Sequence, residues 1–365
     1  MDNQTILTAE NVTEESCDFS METRKIFVSI VSCLSVVGCI SNGLLLYVFL
    51  CKTGRLYPFQ TLLAILDFML CVLYIECFGF QLLSIDLQSE ALYNFVMDNN
   101  LLSIAMSRMV QLLIPYTLIA NSADKLAMIY GKDVESKKAF YYRLLVMALL
   151  ITVGIISRID TFYLFKIVTD VNCPKFRDKW MGINEELVES TRDYLQSYEK
   201  WLTFFHTFVS FVVLFGLNSF IVWKLRNEHR RTRRQSTSPA QLFSTSVTRL
   251  QVAQTVREQQ NKLRCAVKTT VVIITAYLFC NSLNFACYVW ESYGVVQPDG
   301  TFNPHYLFLS DIATALFVAS SSIRIFIYYK YNGDMRRCIK QTAIIKYLIP
   351  ENRKTKHDVL LKTDL

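Results

Sequence analysis

The residues of this sequence that could do chemistry are six ionisable side chains inside long apolar runs. A charge in an apolar environment costs several kcal/mol, on the order of a folded domain's whole stability, unless it is paired or reaches water. Each of these residues therefore indicates an ion pair, a conformational switch or a ligand site. They are Asp67, Glu76, Arg108, His206, Asp311 and Arg324.

Patterns typical of catalysis and of metal binding are not found in the sequence. It contains no Gly-rich phosphate loop, HExxH or CxxC, and its four histidines are scattered along the chain. We therefore expect no enzyme, no resident metal and no cofactor. The chemistry left to these residues is recognition and signalling.

The elements that must position these side chains are seven apolar runs. A bilayer core about 30 Å thick requires about 20 apolar residues in a helix, and a soluble bundle would instead show apolar stripes. The sequence predicts an all-α seven-transmembrane helix bundle over residues 26–331. The runs are Ile26–Leu50, Thr61–Ile85, Leu101–Ala123, Leu144–Ser157, Trp201–Trp223, Thr269–Trp290 and Tyr306–Tyr329.

The distribution of charge predicts the orientation of the bundle. With the N-terminus outside, the inner segments hold 27 of the 38 Lys and Arg residues but only 9 of the 31 Asp and Glu residues. Positive charge collects on the cytosolic side of membrane proteins. Residues 1–25 then form an extracellular tail, in which Asn3 and Asn11 begin glycosylation sequons.

Three further segments carry predicted features. Apolar and basic residues alternate over 332–348, which predicts an amphipathic helix on the inner leaflet of the lipid bilayer, followed by a cytosolic tail at 349–365. Cys338 in that helix is either palmitoylated or unmodified. Ser236 follows a basic cluster and is a candidate phosphorylation site, and the ends of its loop are expected to extend the fifth and sixth helices.

Only two of the eleven cysteines, Cys17 and Cys173, lie clearly in the predicted outer segments. A disulfide between them is compatible with the oxidising exterior, although connectivity cannot be deduced from sequence.

Counting residues along antiparallel helices places Asp67 and Arg324 at comparable depths. We predict that they form an ion pair, with Asn42, Ser321 and Ser322 satisfying the remaining donors and acceptors. A static structural pair and a conformational switch both remain open.

A second group of polar and aromatic residues lies in the outer halves of the runs. These residues could line an outward-facing cavity with both signs of charge, suited to a charged peptide or a zwitterionic ligand. For Trp290 the alternative is an anchor at the membrane interface. The predicted pocket residues are Glu76, Arg108, His206, Trp290 and Asp311.

The order of short motifs resembles that of rhodopsin-type G-protein-coupled receptors over residues 26–345. It is most similar to the divergent, nematode-like invertebrate group that includes FMRFamide-type neuropeptide receptors. The motifs are Ser41-Asn42-Gly43, Leu63-Ala64-Ile65-Leu66-Asp67, Leu217-Asn218, Phe279-Cys280-Asn281 and the run from Ser320 to Tyr328.

The resemblance implies a polar switch in the core and a cytosolic contact with a heterotrimeric G protein. The switch would comprise Asn42, Asp67, Ser321, Arg324 and Tyr328, and the contact would comprise Asp124, Lys125, Arg226 and Lys268. The chain departs from the family's Asp/Glu-Arg-Tyr motif, because Lys125 replaces the arginine and cannot bind bidentately. Arg324 likewise replaces the usual asparagine, and the usual cysteine at the outer end of the third helix is missing.

The sequence therefore predicts a multi-pass plasma-membrane receptor for an extracellular ligand, which we expect to be a neuropeptide. Two alternatives stay open: a chemosensory receptor for a small environmental molecule, and a receptor-like protein that does not couple to a G protein. A transporter or ligand-gated channel is less favoured, since insect-type seven-span channels place the N-terminus inside. The basic inner segments indicate lipid or an acidic protein rather than nucleic acid.

Overall fold

The structure is a computed structural model that describes residues 21–53, 57–130, 136–169, 173, 175–176, 178–235, 247–292 and 304–342. Asn3, Asn11, Cys17 and Ser236 lie outside these residues. The glycosylation, the Cys17–Cys173 pairing and the phosphorylation therefore stay predictions.

Seven helices in the described chain are long and apolar enough to cross a membrane. The prediction of an all-α bundle with seven candidate membrane spans is confirmed, and the chain is a multi-pass membrane protein by the length and composition of its helices. The spans are Arg24–Cys51, Pro58–Asp86, Glu90–Ile129, Lys137–Leu164, Glu189–Asn227, Arg264–Trp290 and Phe308–Tyr331.

Several spans are built from more than one helix, and π-helical turns interrupt the first, second and fifth at Phe49–Thr53, Ile75–Gly79 and Phe205–Val209. The helices of the described chain are α1 (Met21–Val48), α2 (Pro58–Tyr74), α3 (Phe80–Asp86), α4 (Glu90–Ile129), α5 (Lys137–Ile156), α6 (Thr161–Leu164), α7 (Glu189–Phe204), α8 (Ser210–Gln235), α9 (Val247–Ser292), α10 (Pro304–Ser322), α11 (Arg324–Tyr331) and α12 (Gly333–Lys340). Two strands, β1 (Phe165–Thr169) and β2 (Lys179–Ile183), lie between the fourth and fifth spans.

Several helices extend beyond the apolar runs from which they were predicted. The third span begins at Glu90, where the Ser89 side chain accepts a hydrogen bond from the Leu92 amide and caps the helix. The fifth begins at Glu189 instead of Trp201, because its first turns are polar and amphipathic. The predicted helical extensions between the fifth and sixth spans are confirmed, with α8 ending at Gln235 and α9 beginning at Val247.

The spans form a ring in which the third lies near the centre, in contact with the second, fourth, fifth and sixth, while the first packs against the second and seventh. Gly38 marks the tightest contact of the first span. A Cβ atom at Gly38 would lie 2.5 Å from both Cys71 Sγ and Ser322 Oγ, so only glycine allows the three helices this approach.

The two ends of the bundle differ, and we call them the hairpin end and the α12 end. At the hairpin end β1 and β2 pair antiparallel, from Phe165 opposite Ile183 to Thr169 opposite Lys179. The Lys179 amide donates to the Tyr93 hydroxyl at 3.2 Å, which ties the hairpin to the third span. Cys173, in the turn between the strands, is disulfide-bonded, and nine of the other cysteines are free thiols.

The opposite end carries the short amphipathic helix α12. The Asn332 side chain caps it by accepting from the Met335 amide at 3.2 Å, and Met335 and Ile339 are buried against the bundle. The helix ends at Lys340, eight residues before the predicted end at Leu348, and residues from 343 onward lie outside the described chain. Cys338 is a partly buried free thiol, so its palmitoylation stays a prediction.

Candidate functional site

A cavity of about 420 Å³ opens between the third, fourth, fifth, sixth and seventh spans at the hairpin end. It runs inward to Tyr277 and Phe317 near the middle of the sixth and seventh spans. Most of its wall is polar. The lining residues are Arg108, Gln111, Arg158, Glu199, Thr203, His206, Thr207, Ser210, Phe211, Tyr277, Asn281, Asn284, Cys287, Tyr288, Tyr306, Ser310, Thr314 and Phe317.

Two arginines share one carboxylate in the cavity wall. Arg158 Nη1 donates to both oxygens of Glu199 at 2.8 Å, and Arg108 Nη1 donates to Glu199 Oε1 at 2.9 Å. The side chains are 6%, 29% and 18% exposed for Arg158, Arg108 and Glu199. Charge-assisted hydrogen bonds of this kind are strong where water is scarce, so the three residues form a rigid unit, which we call the shared-carboxylate cluster.

The hairpin covers part of this cluster. The Arg108 guanidinium carbon lies 5.0 Å from the centre of the Phe165 ring, at the start of β1, in a cation–π contact. Asp160 lies behind the cluster, close enough to interact electrostatically with Glu199 and Arg158, but it does not line the cavity. The hairpin is held in turn by its own exposed ion pairs. Lys166 donates to Glu186 at 2.9 Å and keeps the pKa of that carboxyl below its usual range.

Neutral polar groups complete the wall. Asn284 donates to Asn281 Oδ1 at 3.1 Å, and Asn281 donates to the Tyr277 carbonyl at 2.9 Å, which fixes both amides on the sixth span. His206 is half-buried, and its Nδ1, which is shielded from solvent, has no hydrogen-bond partner among the described residues. No group of three or more His, Cys, Asp and Glu side chains in the described ranges is arranged to hold a metal.

The structure brings two of the five predicted pocket residues together and leaves out three. Arg108 and His206 line the cavity. Asp311 does not, because Arg24 Nε donates to its Oδ2 at 2.6 Å and joins the first and seventh spans. Trp290 packs edge-on against Tyr306, with ring centres 6.2 Å apart, and only Tyr306 reaches the cavity. Glu76 is half-buried in the π-helical turn of the second span, which does not contribute to the cavity.

Arg158 and Glu199 were not predicted as site residues. Both lie outside the apolar runs, between the end of the fourth run at Ser157 and the start of the fifth at Trp201. The available signal was the amphipathic pattern from Glu189 onward, which extends the fifth helix outward and places Glu199 two turns above His206 on the same helix.

A buried ion pair lies deeper in the bundle. Arg324 Nη1 donates to Asp67 Oδ2, and the two residues are 2% and 0% exposed, so the predicted pairing is confirmed. The Asn42 amide donates to the Ser321 carbonyl at 3.2 Å, while Ser322 bonds back to carbonyls of its own helix and of the first span. Asn42 Oδ1 and Arg324 Nη2 have no partner among the described residues.

Tyr277 connects the cavity with this ion pair. It lines the deep end of the cavity, packs edge-on against Phe317 at 6.2 Å and lies within electrostatic range of Arg324 and Asp67. Tyr328, the remaining predicted switch residue, is buried against Phe49 with ring centres 5.5 Å apart. A molecule in the cavity would therefore contact Tyr277, a side chain that also lies near the Asp67–Arg324 ion pair.

The α12 end is closed over Lys125. Its side chain is 2% exposed, its Nζ lies 5.5 Å from the centre of the Tyr57 ring and 4.0 Å from Asp124 Oδ2, and Asp124 accepts a hydrogen bond from Arg143 Nε at 2.8 Å. Burial raises the pKa of the Tyr57 phenol, with a smaller contribution from Asp334 of α12. Among the predicted G-protein contacts, Arg226 and Lys268 are exposed and Asp124 is half-buried, whereas Lys125 is covered in this conformation.

Models of known protein families and the curated proteins gave no match to this sequence. Family and function have to be inferred from the residues described above.

Proposed function

We propose that this chain is a G-protein-coupled receptor of the rhodopsin type, similar to invertebrate neuropeptide receptors. Its N-terminus and hairpin end face the outside of the plasma membrane, and its α12 end faces the cytosol. The distribution of Lys and Arg supports this orientation. The ligand binds in the cavity, and the signal passes to a heterotrimeric G protein.

The observation that carries the proposal is the path from the cavity to the buried ion pair. The cavity reaches Tyr277, and Tyr277 lies within electrostatic range of Arg324 and Asp67, which join the second and seventh spans. A ligand that binds better to a state in which this pair is rearranged would shift the population toward that state. For a G protein to reach Lys125, the residues that cover it at the α12 end would have to move.

The size of the cavity bears on the class of ligand. A volume of about 420 Å³ lies in the range of small-molecule sites and is too small for a folded polypeptide. It admits the terminal residues of a peptide or a whole small molecule. We favour a peptide ligand, because the hairpin adds polar surface at the mouth of the cavity. A chemosensory receptor is the second candidate, because the cavity volume suits a small molecule.

The test is G-protein activation in cultured cells that display the full-length chain at their surface. A library of neuropeptides, amidated and with free carboxyl termini, would be screened together with small environmental molecules. We expect a specific peptide response that is lost in Lys125→Glu and Arg324→Ala but retained in Lys138→Gln, whose side chain is exposed and belongs neither to the cavity wall nor to the predicted G-protein contacts. Silence of the wild-type chain toward both libraries, with surface display established, would contradict the proposal and favour the non-coupling alternative.

A further inference from the structure

We infer that the cavity recognises an anionic group of its ligand, a carboxylate, and that Arg108 binds it. This inference rests on the proposed function, since it takes the cavity to be a ligand site. The sequence predicted a pocket with both signs of charge, and the inference restricts the ligand group bound there to a negative one. The hydrogen bonds already made within the shared-carboxylate cluster determine which donors and acceptors remain for a ligand.

Arg108 has most of its hydrogen-bonding capacity left. A guanidinium carries five N–H donors, and among the described residues Arg108 makes one side-chain hydrogen bond, from Nη1 to Glu199. Its side chain lines the cavity and is 29% exposed, more than that of either partner in the cluster. An edge of the guanidinium is therefore open to the cavity, with the planar geometry that binds a carboxylate through two parallel hydrogen bonds.

A cationic ligand group finds no equivalent partner. Glu199 is the only acidic residue among the described residues that line the cavity, and its two oxygens already accept three hydrogen bonds from the two arginines. Asp160 adds a second negative charge behind the cluster but does not reach the cavity. The Glu199 carboxylate is thus neutralised by the two arginines, whereas part of the Arg108 guanidinium remains available to a ligand.

The arrangement also fixes where Arg108 points. Glu199 holds one edge of its guanidinium, and the Phe165 ring covers one face at 5.0 Å. A side chain held in this way loses little conformational entropy when it binds a second carboxylate, and this favours affinity. Gln111, one turn further into the third span, and His206 supply neutral polar groups for the rest of the ligand.

The anion could come from three sources with the same chemistry: a free peptide carboxyl terminus, an acidic side chain, or a small organic acid. An amidated peptide terminus carries no charge. A peptide ligand of this cavity would therefore have either a free terminus or an acidic residue placed close to its end.

The test is thermal unfolding of the purified full-length chain in lipid nanodiscs, with three probes at millimolar concentration. N-acetyl-phenylalanine carries a terminal carboxylate, N-acetyl-aspartic acid α-amide carries a side-chain carboxylate, and N-acetyl-phenylalaninamide carries none. We expect one or both acids to raise the unfolding temperature and the uncharged amide not to do so. The acid with the larger shift shows whether the cavity prefers a terminal or a side-chain carboxylate. Equal shifts for acids and amide, or no shift with any acid, would overturn the inference.

Variants assign the effect to Arg108. We expect Arg108→Gln to weaken acid binding about tenfold to a hundredfold, as the loss of charge-assisted hydrogen bonds implies. Arg108→Lys should retain part of the affinity, because it keeps the charge without the planar geometry. Lys138→Gln, at an exposed position of the fourth span that does not line the cavity, should bind the acid as the wild type does. An Arg108→Gln variant with unchanged acid binding would refute the assignment.

A second variant covers the case in which Arg108→Gln does not fold. Glu199→Gln keeps a side-chain oxygen that can accept a hydrogen bond from Arg108 and removes the negative charge that competes with the ligand, so acid binding should become several-fold tighter, measured against that variant's own unfolding temperature. Weaker acid binding in this variant would overturn the inference.

These binding measurements contain no G protein. Acid-specific, Arg108-dependent binding together with a silent cell assay would therefore support the inference and contradict the proposed function. A cellular response to uncharged ligands that is insensitive to Arg108→Gln would support the proposed function and contradict the inference.

Discussion

Lys125 lies beneath Tyr57, with its ammonium nitrogen 5.5 Å from the centre of the ring and its side chain 2% exposed. Tyr57 belongs to the short connection between the first two spans, and α12 packs beside it with Asp334 close to the phenol. The aromatic ring thus separates a buried cation from the α12 end of the bundle. Tyr57 is thus one of the side chains that cover Lys125, together with Met128, whose Sδ lies 3.7 Å from the ammonium nitrogen.

We expect Tyr57→Ala to expose Lys125 and Tyr57→Phe to leave it covered, because the ring and not the hydroxyl makes the contact. The measurement is the rate at which an amine-reactive reagent modifies Lys125, followed by peptide mass spectrometry. The rate should rise several-fold in the alanine variant. Labelling of the exposed Lys268 serves as the internal reference. Equal Lys125 labelling in all three proteins would show that Tyr57 is not the barrier.

The ion pair between Asp67 and Arg324 should show strong coupling in a double-mutant cycle. Removing one partner leaves a buried, uncompensated charge, so Asp67→Asn or Arg324→Gln alone should cost about 3–5 kcal/mol of unfolding free energy. Asp67→Asn combined with Arg324→Gln should recover a large part of that loss, since no net charge stays buried. Thermal or denaturant unfolding in nanodiscs measures all four proteins. Arg226→Gln, at an exposed position, is the control for loss of an arginine. Additive losses in the double variant would mean that the two side chains do not depend on each other.

Two glycines in the spans should respond in opposite ways to alanine. A Cβ at Gly38 would lie 2.5 Å from Cys71 Sγ and Ser322 Oγ, so Gly38→Ala should destabilise the bundle by about 1–3 kcal/mol through overpacking. Gly216 has no atom within 4 Å of the corresponding position, so Gly216→Ala should be neutral or stabilise by up to about 1 kcal/mol through helix propensity. The unfolding temperatures of both variants, compared with that of the wild type, test this prediction. A neutral Gly38→Ala would show that the first, second and seventh spans pack less tightly than described.

The cap of α12 should control the order of that helix. Asn332 accepts a hydrogen bond from the Met335 amide, and loss of such a cap costs about 1 kcal/mol. Asn332→Ala should therefore increase amide hydrogen exchange across Gly333–Lys340, whereas Asn332→Asp should preserve protection, because a carboxylate caps equally well. Exchange in the third span serves as the reference. If both variants exchange like the wild type, packing of Met335 and Ile339 alone would be sufficient to hold the helix.

Sequence pattern alone determined the seven spans and the Asp67–Arg324 pair. Both follow from the cost of placing charge and unpaired backbone groups in an apolar medium, which restricts helix length and requires a partner at equal depth. The pair could be predicted because the two residues are the only formal charges deep in their spans, so few alternatives remained.

Tertiary structure alone decided which side chains share the cavity. Asp311 and Arg108 are both ionisable residues toward the hairpin end of their helices, yet Asp311 turns to Arg24 and Arg108 to Glu199. The partner that each residue meets depends on the rotation of its helix and on the polar extension of the fifth span. The pattern of apolar runs specifies neither of these two features. Coverage of Lys125 by Tyr57 has the same origin, because it depends on where Tyr57, just before the second span, lies relative to the third span.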